Sequence, residues 1–173
     1  MEKIALITGG TSGIGLECAK KFLVNKINVI LVGRNKDKYI EARKYLKSFI
    51  TKDVFCDFIQ ADISSAKNCK IIIDTVIEKY KKLDILVNNA GIYLENAIED
   101  VEEDEFDRIM SINLKGAYFL CKYAVPYLKK QGENASIVNV SSDAGINGNF
   151  FCSAYCASKG GLTVFTKALA LEL

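Results

Sequence analysis

The stretch Thr8-Gly9-Gly10-Thr11-Ser12-Gly13-Ile14-Gly15 separates a short apolar run, residues 3–8, from an amphipathic pattern over residues 14–25. The apolar run predicts a buried β-strand, and the glycines predict a tight turn. Apolar residues then recur every three or four positions from Leu16 to Leu23, which predicts a helix. A strand, a glycine-rich turn and a helix amino terminus together can bind a pyrophosphate, because backbone N–H groups and the helix dipole face the anion.

The rest of the chain alternates between strand and helix patterns. Strands are predicted at residues 3–8, 28–32, 54–60, 85–88 and 136–140, and helices around 14–25, 36–50, 66–80 and 103–130, with a last helix from Ser153. This alternation implies right-handed crossovers and a parallel sheet covered on both faces. No repeat or linker divides the chain. We therefore expect one α/β domain over residues 1–173, with a Rossmann-like, doubly wound parallel sheet.

The composition favours a cytoplasmic protein with one core. Half of the 173 residues are hydrophobic (50%), and the formal net charge is +2, which gives no indication of nucleic-acid binding. Met-Glu-Lys leads directly into the first strand, and no apolar run reaches membrane-spanning length. We therefore expect neither a secretory leader nor a membrane anchor.

The cysteine and histidine content excludes several kinds of site. The six cysteines include no C-x-x-C pair and are expected to be reduced thiols in apolar positions. Cys152 and Cys156 flank Tyr155 and are candidate reactive thiols, but Cys-x-x-x-Cys without any histidine is a poor zinc site. The absence of histidine also excludes Ser-His-Asp and Cys-His catalysis, so no metal site is expected and a tyrosine-based mechanism is favoured.

The stretch Tyr155-Cys156-Ala157-Ser158-Lys159 carries a candidate proton-transfer pair. On a helix, Tyr155 and Lys159 lie one turn apart on the same face. A phenol ordinarily ionises near pH ~10, so it exchanges protons at neutral pH only where a neighbouring positive charge favours the phenolate. Such a pair is usually ordinary helix surface with a solvated lysine. The glycine-rich turn at the amino terminus is what favours a catalytic role here.

Together these motifs resemble those of the short-chain dehydrogenase/reductase family. The matching residues occur in the family's order and spacing, and they are Thr8-Gly9-x-x-x-Gly13-x-Gly15, Asp62, Asn88-Asn89-Ala90-Gly91, Asn113, Ser142, Tyr155 and Lys159. The resemblance implies an oxidoreductase similar to carbonyl reductases and 3-oxoacyl carrier-protein reductases, acting on a small carbonyl or alcohol. It also implies a homodimer or homotetramer, assembled through the helices around residues 103–130 and 153–173.

The resemblance assigns catalysis to Asn113, Ser142, Tyr155 and Lys159. A carbonyl that accepts hydride develops negative charge on oxygen, so the site needs a hydrogen-bond donor and a proton source. Ser142 would supply the first and Tyr155 the second. Lys159 would hold the ribose of the nicotinamide and favour the phenolate, and Asn113 would hold a water that links Lys159 to solvent.

The same resemblance gives the expected cofactor contacts, which are Gly9, Thr11, Ser12, Gly13, Ile14, Gly15, Arg34, Asp62, Ile63, Asn89, Ala90, Gly91, Tyr155 and Lys159. No acidic residue follows the second strand, where an NAD enzyme usually carries one. Arg34 stands there instead and could pair with the 2′-phosphate of NADP, or it could be a solvated turn residue. We expect NADP(H) in preference to NAD(H). Asp62 either contacts the adenine, as the resemblance implies, or caps the next helix.

Neighbouring residues leave alternatives open. Ser141 competes with Ser142, although the spacing to Tyr155 favours Ser142, and Asp143 is expected to be a turn residue. Tyr93, Leu94 and residues 149–151 could form an apolar wall for a ketone, a sugar or an acyl thioester. They could equally be simple packing.

The chain is expected to lack the last strands of the family fold. Family members continue past the helix that carries Tyr155 with two further strands and a Pro-Gly turn at the nicotinamide, whereas the only proline here is Pro126. The fifth strand should therefore lie at a sheet edge, with apolar surface exposed beside it. The alternative function is a truncated, non-catalytic module for dinucleotide binding or oligomer assembly.

Overall fold

Five short apolar strands build a parallel sheet. They are β1 (Ile4–Thr8), β2 (Asn28–Gly33), β3 (Cys56–Gln60), β4 (Ile85–Asn88) and β5 (Ser136–Asn139). In this computed structural model, which describes residues 3–173, the strand order is β3-β2-β1-β4-β5, and every neighbouring pair is parallel. The predicted Rossmann-like, doubly wound sheet is confirmed. Met1 and Glu2, part of the opening predicted to lead directly into β1, lie outside the described range.

Helices cover both faces of the sheet. They are α1 (Gly13–Val24), α2 (Lys36–Leu46), α3 (Ala66–Tyr80), α4 (Glu103–Met110), α5 (Ala117–Leu128) and α6 (Ser153–Glu172). Side chains of β1 alternate between two cores because successive residues of a strand point to opposite faces. Ile4 and Leu6 pack in the core built with α3 and α5, whereas Ala5 and Ile7 pack in the core built with α1 and α2.

The strand order places a crevice above β1 and β4. From β1 the chain moves outward through β2 to β3, and it then returns to the other side of β1 to form β4. The crossovers on the two sides of β1 therefore diverge at the carboxyl ends of β1 and β4. In open parallel sheets, ligands bind at this switch point.

The pattern predicted as one helix over residues 103–130 differs from the structure. A π-helical segment, Ser111–Gly116, separates α4 from α5, and a 3₁₀ segment, Lys129–Asn134, follows α5. The widened turn brings the side chain of Asn113 against the loop after β4, where Oδ1 accepts from Ile92 N and Nδ2 donates to Ile92 O. Such widened turns are frequent at functional sites. The helical period by itself could not indicate one.

Two further element boundaries move by a few residues. The helix predicted over residues 36–50 ends as α2 at Leu46, and a 3₁₀ turn, Lys47–Phe49, continues it. β3 begins at Cys56 rather than at Val54, because Val54 instead forms an isolated antiparallel bridge with Thr51.

Three of the composition-based expectations can be compared with the described residues. Over residues 3–173, no helix has both the length and the apolar character needed to cross a membrane. The six cysteine thiols are all free. The same part of the chain contains no group of three or more side chains that could hold a metal ion.

A buried carboxylate ties the strands together at the end of the sheet opposite the crevice. Asp84 is 2% exposed, and its Oδ2 accepts a hydrogen bond from Ile4 N at 2.8 Å. Its backbone N–H donates to Ile4 O, and its carbonyl accepts from Ser136 N. Asp84 Oδ1 also forms an ion pair with Lys82 Nζ at 3.1 Å. One residue therefore links β1, β4 and β5 where their amino ends meet.

We expect Asp84→Ala to lower the free energy of unfolding by about 2–3 kcal/mol, because the buried N–H of Ile4 loses its acceptor. Asp84→Asn retains an acceptor oxygen and should cost about 1 kcal/mol. Urea unfolding followed by circular dichroism measures both. Asp74→Ala is the matched control, since Asp74 pairs with Lys70 on the surface, and its loss should cost less than about 0.5 kcal/mol. An Asp84→Ala variant as stable as the control would contradict this role.

Candidate active site

A cavity of about 330 Å³ opens at the carboxyl ends of the strands. Nine of the predicted cofactor residues line it, and they are Gly9, Thr11, Ser12, Arg34, Asp62, Ile63, Asn89, Ala90 and Gly91. Three more, Gly13, Ile14 and Gly15, form the first turn of α1 directly after Ser12. The structure therefore brings together residues from four separate loops. This is the arrangement that the parallel topology predicts.

The amino terminus of α1 is left uncapped beside this cavity. Ser12 occupies the cap position with an extended backbone, yet its side chain makes no capping hydrogen bond, and the first turn carries no acidic residue. The first backbone N–H groups of a helix have no partner within the helix. A Cβ atom at Gly13, which has φ 52°, would meet no atom within 4 Å, so this turn faces open space. The helix end is therefore free to bind an anion.

The helix can approach the β4 loop only because position 15 is glycine. A Cβ atom there would lie 2.5 Å from Asn89 Nδ2 and 2.6 Å from Gly9 O, which are impossible contacts. Asn89 Nδ2 in turn donates to Thr8 O at 2.9 Å and to Gly9 O at 3.2 Å. Close packing of α1 on the two loops thus fixes the width of the crevice.

Thr8 belongs to the glycine-rich motif, but the sequence analysis assigned it no role in the site. It is fully buried, and its Oγ1 accepts from the backbone N–H groups of both Asn89 and Ala90 at 3.0 Å. A threonine at the end of a strand forms such bonds only when a second loop lies beside it. That neighbour, about eighty residues along the chain, could not be identified from local sequence.

Two cations lie at the far end of the cavity. Arg34 and Lys38 both line it, although the sequence analysis selected only Arg34. Lys38 lies in the first turn of α2, where Asn35 Oδ1 accepts from the N–H groups of Asp37 and Lys38. Lys38 stands four residues after Arg34, at the start of a helix. That position could have indicated Lys38 as a second cation of the site. The pair gives this end of the cavity a positive character.

Asp62 lies opposite these cations. Its Oδ2 is 3.8 Å from Arg34 Nη1, and its Oδ1 accepts from Ser64 N at 2.9 Å. Burial raises the pKa of Asp62, but the hydrogen bonds from Ser64 and the charge of Arg34 outweigh it and lower the pKa below its ordinary value. The cap position of α3 is Ser65, so Asp62 is not the helix cap that one alternative proposed.

These residues fit a dinucleotide. An uncapped helix end and open glycine backbone suit a pyrophosphate, and the cations at the far end suit a further phosphate.

Lys159 lies beside Gly91, one of the residues that line this cavity. A Cβ atom at Gly91 would lie 3.4 Å from Lys159 Nζ and 3.3 Å from Asn113 Oδ1. Lys159 is 5% exposed, and its Nζ donates to Val140 O at 2.8 Å. Burial lowers the pKa of Lys159 below its ordinary value. The predicted lysine and asparagine therefore stand together at one end of the crevice.

The amide of Asn113 is fully engaged with the protein. Besides its two bonds to Ile92, Nδ2 donates to Ser158 Oγ at 3.0 Å. Ser158 is buried and donates to Tyr155 O. Asn113 thus joins the π-helical turn to the helix that carries Tyr155 and Lys159. Ser158 was not among the predicted residues, although its place immediately before Lys159 offered a signal.

Tyr155 and Lys159 lie on the same face of α6, as predicted. Tyr155 is half-buried, and Lys159 Nζ is 5.9 Å from the centre of its ring. The ring also contacts Tyr93 edge-on. Of the residues proposed as an apolar wall, Phe150 is 91% exposed and Phe151 is 61% exposed, so neither is simply packed in the core.

The two neighbouring serines differ in their contacts. Ser141 Oγ lies 2.6 Å from Thr163 Oγ1 and 3.2 Å from Lys159 O, so it is tied to α6. Ser142 Oγ instead donates to Asp143 Oδ1 at 3.0 Å and accepts from Ala144 N at 3.2 Å. Ser141 is therefore held against α6, whereas Ser142 is held within its own loop, and the choice of Ser142 as the catalytic serine stays a prediction. Asp143 begins a 3₁₀ turn, Asp143–Gly145, as a turn residue would.

Comparison with known proteins identifies relatives along the whole described chain. The family model described as short chain dehydrogenase matches residues 3–173. An NADP-dependent (R)-specific alcohol dehydrogenase of Lentilactobacillus kefiri is 36% identical over 170 residues, covering 98% of this chain and 66% of that enzyme. A 3-oxoacyl-[acyl-carrier-protein] reductase of Thermotoga maritima is 35% identical over 174 residues, covering 99% of this chain and 68% of that enzyme.

A solved structure supports the same relationship. An actinorhodin polyketide ketoreductase variant with NADPH superposes with a TM-score of 0.91 at 31% identity, covering 99% of this chain and 67% of that one. The chain spans between 60% and 68% of the length of the first curated relatives that it matches. The fold, the motifs in order along it and these similarities agree: the chain belongs to the short-chain dehydrogenase/reductase family.

Proposed function

We propose that this chain carries the cofactor-binding and catalytic residues of an NADP(H)-dependent oxidoreductase that interconverts a carbonyl compound and an alcohol. The observation that carries the proposal is the meeting of cavity and lysine at Gly91. Gly91 lines the crevice, and a Cβ atom there would lie 3.4 Å from Lys159 Nζ. A redox cofactor in the crevice would therefore extend toward the residues suited to proton transfer.

The chain's own residues would manage the proton and the charge on the substrate oxygen. When bound, the nicotinamide supplies hydride to the carbonyl carbon or accepts it from the alcohol. Tyr155 donates its phenolic proton to the carbonyl oxygen in reduction and accepts the alcohol proton in oxidation. Lys159 places a positive charge near the phenol ring and can hydrogen-bond a ribose hydroxyl. Asn113 positions the turn of α6 that begins at Tyr155 through Ser158.

Ser142 would stabilise the substrate oxygen by donating a hydrogen bond. Its single hydroxyl proton is directed to Asp143 Oδ1, so this role requires the proton to turn from the carboxylate to the substrate. Rotation about the Cβ–Oγ bond is sufficient, and the exposed Asp143 carboxylate can then be hydrated instead. Asp143 thus competes with the substrate for the Ser142 proton.

NADP(H) is the preferred cofactor in this proposal. Two cations line the end of the cavity that follows β2, and no carboxylate occupies the β2 end itself. Asp62 pairs with Arg34 at 3.8 Å, but the Arg34 side chain is 55% exposed and can turn toward a phosphate. An NADP-dependent relative and a related structure with NADPH support the same choice.

Self-association is part of the same proposal. A groove of about 570 Å³ runs between β5, α5 and α6, and apolar side chains including Leu128, Ile137 and Leu169 line it. Val164 on α6 is 65% exposed. Such surface suits a homodimer or homotetramer, which light scattering after gel filtration would measure. We propose the cytoplasm as the compartment, since six free thiols suit a reducing environment.

We expect Tyr155→Phe to lower kcat for carbonyl reduction by at least about 100-fold, because the proton donor is lost while the ring remains. The measurement is NADPH oxidation with a panel of ketones, sugars, steroid ketones and 3-oxoacyl thioesters. NADPH binding, followed by its fluorescence, should weaken far less than kcat falls, because Tyr155 is only one of the many expected cofactor contacts. Tyr118→Phe, the same change on the exposed face of α5, serves as the control. A wild-type chain that binds NADPH and reduces nothing in the panel would instead support a non-catalytic dinucleotide-binding module.

We expect Arg34→Ala to weaken NADPH binding by about 10-fold or more while leaving NADH binding within about twofold, because only NADPH carries the 2′-phosphate. Dissociation constants from calorimetry with both cofactors measure this. Arg43→Ala is the matched control, since it removes the same charge from the exposed surface of α2 outside the cavity. Equal weakening of both cofactors, or tighter binding of NADH than of NADPH by the wild type, would overturn the preference.

We expect Lys159→Met to abolish activity and to raise the free energy of unfolding by about 1 kcal/mol, because a buried ammonium is replaced by an apolar side chain of similar length. The pH dependence provides a second readout. Burial holds the pKa of Lys159 in the folded chain below its ordinary 10.5. Between these two pKa values the unfolded chain therefore binds more protons than the folded chain. Wild-type stability should therefore rise relative to the variant as pH increases through this range. A Lys159→Met chain that unfolds more easily at every pH would refute the argument.

A further inference from the structure

The loop after β4 is joined to the start of α6 by one aromatic side chain. Tyr93 follows Gly91 by two residues, and its ring lies 5.0 Å from the ring of Tyr155, with the planes at 73°. Edge-to-face contacts of this kind are favourable and directional. Tyr93 is therefore the aromatic neighbour that limits how the Tyr155 ring can turn on this side.

The hydroxyl end of Tyr93 is held in place by two groups. Tyr93 Oη donates to Glu95 Oε2 at 3.0 Å and lies 2.9 Å from Cys152 Sγ. In the second contact either the phenol or the thiol can be the donor. The hydrogen bond with Cys152, followed by that with Glu95, raises the pKa of the Tyr93 phenol. The phenol therefore stays protonated. Cys152 is 2% exposed and occupies the cap position of α6.

A backbone hydrogen bond fixes the same two segments. Asn96 N donates to Phe151 O at 2.7 Å. Phe151 has φ 54°, a left-handed conformation that is costly for a bulky residue and persists only where surrounding contacts enforce it. The segment from Tyr93 to Asn96 is thus fastened at both ends to the residues that precede Tyr155.

Burial does not account for Tyr93. The residue remains 60% exposed, so an aromatic side chain here gains little from removal from water. Its defined contacts are instead those to Tyr155, Cys152 and Glu95. We propose that Tyr93 is a positioning residue that holds the Tyr155 phenol in its productive orientation, with the Cys152 thiol as its anchor. This inference rests on the proposed role of Tyr155 in proton transfer.

The kinetic test compares loss of the ring with loss of the anchor. Tyr93→Ala should lower kcat by about three- to tenfold, which corresponds to loss of one edge-to-face contact, and leave the dissociation constant of NADPH unchanged. Cys152→Ala keeps the ring and loses its hydrogen bond with Cys152, and it should lower kcat by about twofold. Tyr93→Phe keeps the ring and loses the bonds with both Cys152 and Glu95, so it should lower kcat by about twofold or slightly more. The double variant should have the same kcat as Tyr93→Phe alone, and Cys152→Ser should keep wild-type kcat because its hydroxyl can take part in the same hydrogen bond as donor or acceptor. Tyr118→Ala is the matched control for removal of an exposed tyrosine.

A second measurement needs neither activity nor cofactor. In protein labelled on its tyrosine rings, the Tyr155 nuclear magnetic resonance signal is identified by its loss in Tyr155→Phe. The signal should shift in Tyr93→Ala, because a neighbouring aromatic ring is removed, and stay near its wild-type position in Tyr93→Phe. If the wild-type chain reduces no carbonyl, the proposed function fails. The Tyr155 signal still tests the contact between Tyr93 and Tyr155 in that case.

Three outcomes would overturn the inference. One is a Tyr155 signal that is the same in Tyr93→Ala as in the wild type. Another is a Tyr93→Ala kcat equal to that of Tyr118→Ala. The third is a loss of kcat that accompanies an equal loss of NADPH affinity or a large drop in melting temperature, since general disruption would then explain it.

Discussion

The hydrogen bonds between the ends of β1 and β4 are the constraint on which the site depends. Thr8 Oγ1 accepts from two backbone N–H groups of the β4 loop, and Asn89 Nδ2 donates back to two carbonyls of the β1 loop. Buried backbone N–H and C=O groups need hydrogen-bond partners, and here each loop supplies the partners of the other. The bonds hold the two loops at a fixed separation, and α1 packs onto them through Gly15. The crevice at the switch point is what remains between them.

The two ends of the sheet have opposite electrostatic roles. At the amino ends, Asp84 satisfies strand N–H and lysine charge completely, which stabilises the sheet. At the carboxyl ends, the first turn of α1 is uncapped, and Lys159 is buried with a carbonyl as its hydrogen-bond acceptor. The N–H groups of that first turn and the buried ammonium of Lys159 lower the free energy of unfolding. They are also the groups that an anionic cofactor and a reacting oxygen could use, so function and stability are separated along the strands.

The residues around Tyr155 form a connected set rather than independent contacts. Asn113 reaches α6 through Ser158 from the π-helical turn, and Tyr93 reaches its start through Cys152 from the β4 loop. Both connections end at the backbone or ring of Tyr155. Precise placement of a proton donor matters because proton transfer requires hydrogen-bond distance. Two separate elements therefore determine where one phenol lies.

The sequence by itself determined the strand order, the parallel sheet and nine of the residues that line the crevice, because periodicity, glycine turns and motif spacing are local properties. It placed β4 with its observed bounds and Tyr155 and Lys159 on one helix face. Only the tertiary structure decided the π-helical turn at Asn113, the bonds of Thr8, the pairing of Arg34 with Asp62, the direction of the Ser142 proton and the Tyr93–Cys152 contact. Each of these depends on side-chain rotamers and on the meeting of separate segments. The register of the strands and the packing of the helices create those meetings, and no local pattern encodes them.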